Sequence, residues 1–200
     1  KYFTIIISCL YSQNDRSTIY YNGNPVGIET GNFIYKSETL DLQFSNIFTV
    51  NQDYILERFS FYLGFDVFSD SIFAQLHQDE NQSPGEIIDE WQITINENYP
   101  DGAGYNIYTV DECIQLDANA SYWITLLSKG EGILKWIHTD ESWPYVWSDN
   151  GGQNWSEVMI NPPGANIVYG EQIYYQDPIW GDVNDDLILN VIDVISIVQF

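Results

Sequence analysis

The C-terminal part of the sequence places oxygen-bearing side chains at the spacing of a calcium-binding loop. Such 12-residue loops take their ligands from positions 1, 3, 5, 7, 9 and 12. With Asp182 at position 1, these positions hold Asp182, Asn184, Asp186, Ile188, Asn190 and Asp193, where Ile188 contributes its backbone carbonyl. Carboxylate and amide oxygens are the donors that this hard cation prefers, so we expect calcium as the cofactor of this loop.

The residues around the loop agree with this interpretation. Leu189 is apolar at position 8, and apolar residues at helical spacing follow, which predicts a short helix behind the loop. The alternative is a solvated, charge-rich turn. Leu187 stands at position 6, where glycine normally makes the sharp turn, and a non-glycine residue at positive φ costs on the order of 1 kcal/mol. We therefore expect weak affinity, near the ~0.1 to 1 mM of extracellular calcium sites.

The same segment resembles a known docking module. The runs Gly181-Asp-Val-Asn184 and Asn190-Val-Ile-Asp193, with the apolar helix after them, are similar to the first repeat of a type I dockerin. This resemblance implies calcium at the six positions above and docking, through the helices, onto a cohesin-like or other surface protein. Val191 and Ile192 replace the polar pair often used in partner recognition. Dockerins carry two repeats and this segment holds one, so a second Asp-x-Asn-x-Asp loop after Phe200 would confirm a docking module, and its absence would leave one orphan loop.

The body of the chain has the pattern of an all-β domain. Between residues 32 and 173, short runs of alternating apolar and polar residues are separated by Gly, Pro, Asn and Asp, which predicts about ten strands and no helix. We expect an antiparallel two-sheet sandwich of jelly-roll type. The predicted division is an N-terminally incomplete signal peptide at 1–12, the β-sandwich at 13–176, a linker at 177–180, and the partial dockerin-like repeat, an EF-hand-like calcium loop and helix, at 181–200.

The order of several strand motifs resembles that of a secreted domain family. The motifs are Ser60-Phe-Tyr-Leu-Gly64, Phe73-Ala-Gln-Leu76, Ser83-Pro-Gly-Glu-Ile87, Ile114-Gln-Leu-Asp-Ala-Asn-Ala-Ser-Tyr-Trp-Ile-Thr-Leu126 and Trp136-Ile-His-Thr-Asp140. In this order they are similar to the choice-of-anchor domains, closest to the class called R, which are secreted prokaryotic β-sandwich domains found beside anchoring signals. The resemblance covers most of residues 45–170 and implies surface display without established catalytic residues.

A glycine-rich segment follows these motifs. Ser148-Asp-Asn-Gly-Gly-Gln-Asn-Trp155 resembles the Asp-box hairpin of sialidase-type propellers, with Asn150 in place of the usual Asp. One copy does not make a propeller, and the sequence has no internal repeat of about 40 to 50 residues. A glycine-rich turn followed by a tryptophan that folds back over it predicts a self-contained hairpin cap.

Aromatic residues are concentrated around this hairpin. Five rings fall within twenty residues, next to acidic and amide side chains: Trp136, Trp143, Tyr145, Trp147 and Trp155. Flat rings that stack on sugars, with amides and carboxylates that bind the hydroxyl groups, make a carbohydrate-binding face. We therefore predict sugar stacking at Trp136, Trp143, Tyr145 and Trp147. The alternative is that these rings fill the core of the sandwich and cap the hairpin.

No catalytic constellation stands out in the sequence. It has no Gly-x-Ser-x-Gly elbow, no His-Glu-x-x-His and no phosphate loop. His77 and His138 lie at the ends of alternating runs without a neighbouring Cys or His, so we expect ordinary sheet residues. With 29 acidic residues, some carboxylates always lie close together, and this does not identify a glycosidase pair. We expect a non-enzyme, and an extracellular hydrolase is the third alternative.

Charge limits the partners of the chain. Six Lys and Arg against 29 Asp and Glu give a net charge of −23. Nucleic-acid binding depends on cations that displace counterions from phosphates, so it is excluded as a function class. An anionic membrane surface would repel the chain for the same reason. Acidic surfaces rich in Asp and Asn suit calcium, although net charge also serves solubility alone.

The N-terminus has the layout of a secretory signal peptide. Lys1 precedes about nine mostly apolar residues, too few to span a bilayer, and the chain turns polar at Gln13. Cleavage after Ser12 is the favoured processing, with lipid attachment at Cys9 or a buried first strand as alternatives. Since cleavage removes Cys9, we expect Cys113 to pack as a free, small hydrophobic residue rather than to form a disulfide.

These observations predict a secreted or cell-surface, non-catalytic module with a calcium-dependent, dockerin-like segment for docking or surface assembly. The alternative function is a carbohydrate-binding module of an extracellular polysaccharide-degrading system, with polysaccharide as the partner.

The calcium loop can be tested by calorimetry. We expect the protein to bind one calcium ion with a Kd of ~0.1 to 1 mM, and Asp182→Ala to abolish the heat because it removes the ligand at position 1. Asp177→Ala, which changes a carboxylate outside the loop, is the matched control. Absence of binding by the wild-type protein below several millimolar would contradict the prediction.

Overall fold

The computed structural model of the chain describes residues 17–67, 71–95, 103–130 and 132–173. The predicted signal peptide at 1–12, the linker at 177–180 and the calcium-binding repeat at 181–200 lie outside the described residues. The six predicted calcium ligands, from Asp182 to Asp193, lie outside them as well.

Twelve β-strands and no helix occur among the described residues, which confirms the prediction of an all-β domain. The strands are β1 (Ser17–Tyr21), β2 (Gly31–Lys36), β3 (Asp41–Thr49), β4 (Tyr54–Val67), β5 (Ile72–Asp79), β6 (Pro84–Ile93), β7 (Ala103–Leu116), β8 (Ser121–Ser128), β9 (Ile133–Ile137), β10 (Trp143–Ser148), β11 (Met159–Asn161) and β12 (Asn166–Gln172). All pairings between these strands are antiparallel. No helix that could span a membrane is found in the described part of the chain.

The strands form two groups that meet at β2 and β3. One group has the order β6-β5-β8-β3-β10-β11. In the other, the long strand β4 pairs with β7 along one edge and with β12 and then β9 along the opposite edge. β1 pairs with β12, and β2 pairs with β9. A short ladder between β2 and β3 connects the two groups.

The core lies where these two groups pack against each other. Phe59 of β4 contacts Trp91 of β6, with 5.1 Å between the ring centroids, although the two strands are not paired. Tyr20 of β1 contacts Phe48 of β3 in the same way at 5.7 Å. Full burial of one such large apolar side chain stabilises the fold by about 1.5–3 kcal/mol. The alternating residues of each strand therefore divide into a core face and an outer face.

A buried cluster of amides fixes the turn that precedes β12. Asn22 and Asn46 both donate from Nδ2 to the carbonyl oxygen of Gly164, at 2.8 Å each, and to Oδ1 of Asn166. The backbone nitrogen of Asn166 donates to Oδ1 of Asn22 at 2.8 Å. Buried polar groups cost free energy unless they are paired, so these hydrogen bonds stabilise the contact between β3, the end of β1 and the start of β12.

Cys113 differs from the sequence-based expectation. It lies at an exposed position of β7 and is disulfide-bonded. The prediction that it packs as a free, buried hydrophobic residue is therefore wrong. Sequence spacing does not report which cysteines approach each other in space. The other cysteine of the sequence, Cys9, lies outside the described residues.

The amide cluster makes a stability prediction. Asn46→Ala removes two buried donors and leaves the Gly164 carbonyl and Asn166 with fewer partners, so we expect a loss of about 1–3 kcal/mol in the free energy of unfolding. Asn161→Ala, at an exposed position of β11, is the matched control and should change stability by less than about 0.5 kcal/mol. Urea denaturation measures both, and equal effects would contradict the role of the cluster.

Candidate functional site

A cleft of about 200 Å³ lies on the outer face of the β5–β8–β3 strands, beneath residues 148–155. It is lined by Gln43, Gln75, His77, Pro84, Gly85, Ile87, Leu127, Gly151, Gly152 and Trp155. Pockets for drug-sized ligands measure roughly 300–1,000 Å³. The cleft is therefore of a size for one small polar molecule, such as a single sugar ring.

Strand β5 supplies two polar side chains to the floor of the cleft. Ile72, Ala74 and Leu76 are buried in the core, so the intervening positions Gln75 and His77 face the other way. The pairing of β5 with β6 shifts register on both sides of His77. Such irregularities re-aim side chains at the edge of a sheet. Here they bring the imidazole of His77 next to the backbone of Gly85.

Residues 148–155 form the closed hairpin that the sequence predicts. The hydroxyl of Ser148 accepts hydrogen bonds from the backbone nitrogens of Asn150 and Gly152, at 3.3 and 2.9 Å. Oδ1 of Asn150 accepts from the backbone nitrogen of Asn154 at 3.0 Å. Gly151 and Gly152 have φ angles of 72° and 80°, which favour glycine. The hairpin therefore holds its shape through its own hydrogen bonds.

Trp155 folds back over this turn and forms one wall of the cleft. A Cβ atom built on Gly152 would lie 3.4 Å from Cζ2 of Trp155 and 3.2 Å from Oε1 of Gln43. The indole meets the imidazole of His77 edge to face, with 6.5 Å between the ring centroids. Glycine at position 152 thus permits the close approach of the indole that shapes the wall.

The hydrogen bond to Gly85 fixes the tautomer of the neutral His77 ring. Its Nδ1 lies 3.0 Å from the carbonyl oxygen of Gly85, and a carbonyl only accepts, so Nδ1 carries the hydrogen. In the neutral ring, Nε2 is then an acceptor. The residue is 5% exposed, and Nε2 is buried without a hydrogen-bond partner in the described part of the chain. Burial lowers the pKa of His77 below its usual value of 6.5.

Gln43 and Gln75 are oriented by carboxylates outside the cleft. Nε2 of Gln43 donates to Oδ1 of Asp41 at 3.3 Å, and Nε2 of Gln75 donates to Oε2 of Glu90 at 2.7 Å. A carboxylate only accepts, so each amide nitrogen must face it. The amide oxygens are the groups that these side chains leave for the cleft. Both carboxylates are also paired with lysines outside the cleft: Asp41 with Lys36 at 3.0 Å, and Glu90 with Lys129.

The cleft thus combines one aromatic wall with side-chain acceptors at Gln43, Gln75 and His77. Acceptors beside an indole can bind a ligand that presents hydroxyl groups on its edge and C–H groups on its face. No carboxylate, hydroxyl or thiol side chain occurs among the lining residues. Within the described ranges, no group of three or more His, Cys, Asp or Glu side chains is placed to hold a metal ion. The second histidine, His138, contacts Asn32 through Nε2 at 3.1 Å.

The rings predicted to stack on sugars do not form a common exposed face. Trp136 is 0% exposed and donates from Nε1 to the carbonyl oxygen of Ala165, and Tyr145 is buried at 8% exposure. Neither ring offers a free face to a ligand in this structure. Trp143 and Trp147 are half-buried. These two residues are the only members of the predicted set with partly open surfaces.

Sequence reasoning did not identify the polar residues of the cleft. His77 was expected to be an ordinary sheet residue, and Gln43 and Gln75 carry no motif. They meet because β3, β8 and β5 are neighbours in the sheet, a pairing that crosses long stretches of chain. The one available signal was the Trp155 hairpin.

The state of His77 makes a pH prediction. Because its folded pKa lies below 6.5, the unfolded chain binds the proton more readily, so stability falls as the pH drops below 6.5. We expect His77→Gln to remove part of this fall and NMR titration to give a pKa under 6.5 for His77. His138, whose pKa burial also lowers, contributes in the same direction. A measured pKa of 6.5 or higher for His77 would contradict the assignment.

Comparison of the chain with protein-family models, with curated proteins and with solved structures finds no match. The resemblances to choice-of-anchor domains and to a dockerin repeat therefore stay predictions from the quoted motifs.

Proposed function

We propose that the protein is a secreted, non-catalytic β-sandwich module that binds carbohydrate in the cleft beneath residues 148–155. The observation that carries the proposal is the buried imidazole of His77, which lines the cleft beside the indole of Trp155 and whose Nε2 has no hydrogen-bond partner among the described residues. An unpaired buried acceptor costs free energy, and this cost is recovered when a ligand donates to it.

Sugars match the cleft in shape and polarity. A pyranose ring has an apolar C–H face that stacks on an indole and a polar edge that carries hydroxyl groups. The three side-chain acceptors of the cleft suit that edge. We therefore retain carbohydrate as the proposed ligand and propose Trp155 as the stacking ring, rather than the buried Trp136 and Tyr145.

The proposed architecture is a jelly-roll sandwich followed by a short C-terminal helix. Antiparallel pairing of the twelve described strands and ring contacts between unpaired strands, such as Phe59 with Trp91, support two facing layers. The helix belongs to residues 181–200 and rests on the spacing of their apolar residues.

The second part of the proposal is display through the C-terminal repeat. Calcium bound at Asp182, Asn184, Asp186, Ile188, Asn190 and Asp193 would order the loop, and the apolar helix would dock onto a cohesin-like or other surface protein. The sequence spacing of these ligands supports this role. A sugar-binding domain joined to a docking repeat is a coherent unit of surface assembly.

Export is supported by the signal-like N-terminus and by the disulfide at Cys113, because disulfides persist in oxidising compartments. Cleavage after Ser12 would remove Cys9, the other cysteine of the sequence. That processing and a disulfide between Cys9 and Cys113 are therefore alternatives. The mass of the exported protein before and after reduction and alkylation distinguishes them.

Carbohydrate binding is tested with a polysaccharide gel-shift panel. We expect retardation by at least one neutral glycan, and Trp155→Ala to weaken binding by roughly tenfold or more, equivalent to about 1.4 kcal/mol. Trp143→Ala is the matched control, since Trp143 packs edge to face on Tyr20 away from the cleft lining. Absence of binding to every glycan, an unchanged affinity of Trp155→Ala, or hydrolysis of any glycan in the panel would contradict the proposal.

A further inference from the structure

The inference concerns which partner donates the hydrogen bonds in the cleft, and it rests on the proposed carbohydrate function. We infer that the cleft selects a neutral sugar by accepting hydrogen bonds from its hydroxyl groups at Nε2 of His77 and at Oε1 of Gln43 and Gln75. The sugar is the donor at each of these contacts. This goes beyond sugar stacking because it assigns a direction to every side-chain hydrogen bond.

The direction of these hydrogen bonds follows from the carboxylates that lie behind the amides of Gln43 and Gln75. A glutamine side chain can ordinarily present either its oxygen or its nitrogen to a ligand. Here a flipped amide would place its oxygen against the carboxylate of Asp41 or Glu90, where two acceptors repel each other. The Nε2 contacts of 3.3 and 2.7 Å therefore hold Oε1 towards the cleft. The same reasoning applies to His77, where the carbonyl of Gly85 requires a hydrogen on Nδ1.

The charges around the cleft favour a neutral ligand. Asp41 and Glu90 each share their two oxygens between a glutamine and a lysine, so the carboxylate nearest each amide already has a cation. A ligand ammonium group would find no free carboxylate among the lining residues. An acidic sugar would meet three acceptors and a chain with a net charge of −23. Hydroxyl groups are the donors that remain.

Protonation of His77 should remove the acceptor that Nε2 offers to a ligand hydroxyl group. The imidazolium ion carries a hydrogen on both nitrogens, so Nε2 would change from an acceptor to a donor. No other titratable side chain lines the cleft. The charged groups around it are Asp41 with Lys36 on the β3 side and Glu90 with Lys129 on the β6 side. The carboxylate of Glu80 lies beside Gly85, with Oε2 3.1 Å from the position of a Cβ built on that glycine, and the neighbouring β8 contributes Leu127. Binding should therefore weaken as the pH falls below 6.5 and should vary little between pH 7 and 8.

The direction of the hydrogen bonds is tested with modified sugars. The probes are the methyl glycosides of glucose, galactose and mannose, with deoxy and deoxyfluoro derivatives at each hydroxyl position, measured by calorimetry at pH 7.5. Fluorine keeps the size and polarity of a hydroxyl group but cannot donate. We expect at least one parent glycoside to bind, and fluorine at two or more positions to lower affinity about as much as removal of the hydroxyl, by tenfold or more.

Two outcomes would overturn the inference in different ways. If a parent glycoside binds and its fluoro derivatives keep the parent affinity, the donor assignment fails while the carbohydrate function stands. If no parent glycoside and no glycan of the panel binds, the proposed function fails and the inference fails with it. Tighter binding of methyl glucuronide than of methyl glucoside would contradict the preference for a neutral ligand.

Variants of the cleft provide an independent check. Gln43→Met and Gln75→Met keep the approximate size of the side chain but remove the acceptor, so each should lower affinity by roughly fivefold to tenfold. Gln153→Met, at an exposed position of the same hairpin, is the matched control and should bind as the wild type does. Urea denaturation of each variant verifies folding. Unchanged affinity in both cleft variants, with folding intact, would overturn the assignment of these two acceptors.

Discussion

One hydrogen bond, from Nδ1 of His77 to the carbonyl oxygen of Gly85, determines the chemistry of the cleft. It fixes the orientation of the imidazole and the position of its hydrogen, and it leaves Nε2 as a buried acceptor. The bond is possible because β5 and β6 lose regular register around His77. An irregularity of backbone pairing thus determines which nitrogen of His77 carries the hydrogen in the proposed binding site.

Two chains of polar contacts support the remaining acceptors in the same way. Lys36, Asp41 and Gln43 form one chain, and Lys129, Glu90 and Gln75 form the other. The lysines are largely at the surface, where an ion pair contributes only about 0–1 kcal/mol. Their importance here is orientation, because each carboxylate is held where it can direct an amide. Two of the six cationic residues of a strongly acidic chain are used in this way.

The rigid parts of the fold hold these groups at fixed positions. Gln43, Gln75 and His77 lie on strands whose opposite faces fill the core, so their backbone cannot move without disturbing buried residues. Trp155 comes from a hairpin that is closed by the Ser148 and Asn150 side chains. Because the strand side chains and the Trp155 hairpin are both fixed, the site loses little conformational entropy when a ligand binds. This preorganisation is the physical basis of the selective recognition that we propose for so small a cleft.

Sequence alone predicted the elements whose cause is local. The alternation of apolar and polar residues, as in Trp91-Gln-Ile, predicted the strands, and the glycine-rich turn predicted the Trp155 hairpin. Both signals depend only on residues that are neighbours in the chain. The cleft could not be predicted, since its acceptors meet through strand pairings over long sequence separations. The burial of Trp136 and the disulfide of Cys113 depend on tertiary contacts in the same way. The calcium loop remains a prediction from spacing.

The most direct test of this account is the tautomer of His77 in the ligand-free protein, read from the ring nitrogen shifts in a long-range ¹H–¹⁵N NMR spectrum at pH 7.5. The account predicts a hydrogen on Nδ1 and a bare, pyridine-like Nε2. A hydrogen on Nε2, or a charged ring at this pH, would show that the cleft presents a donor there and would contradict the acceptor-lined site.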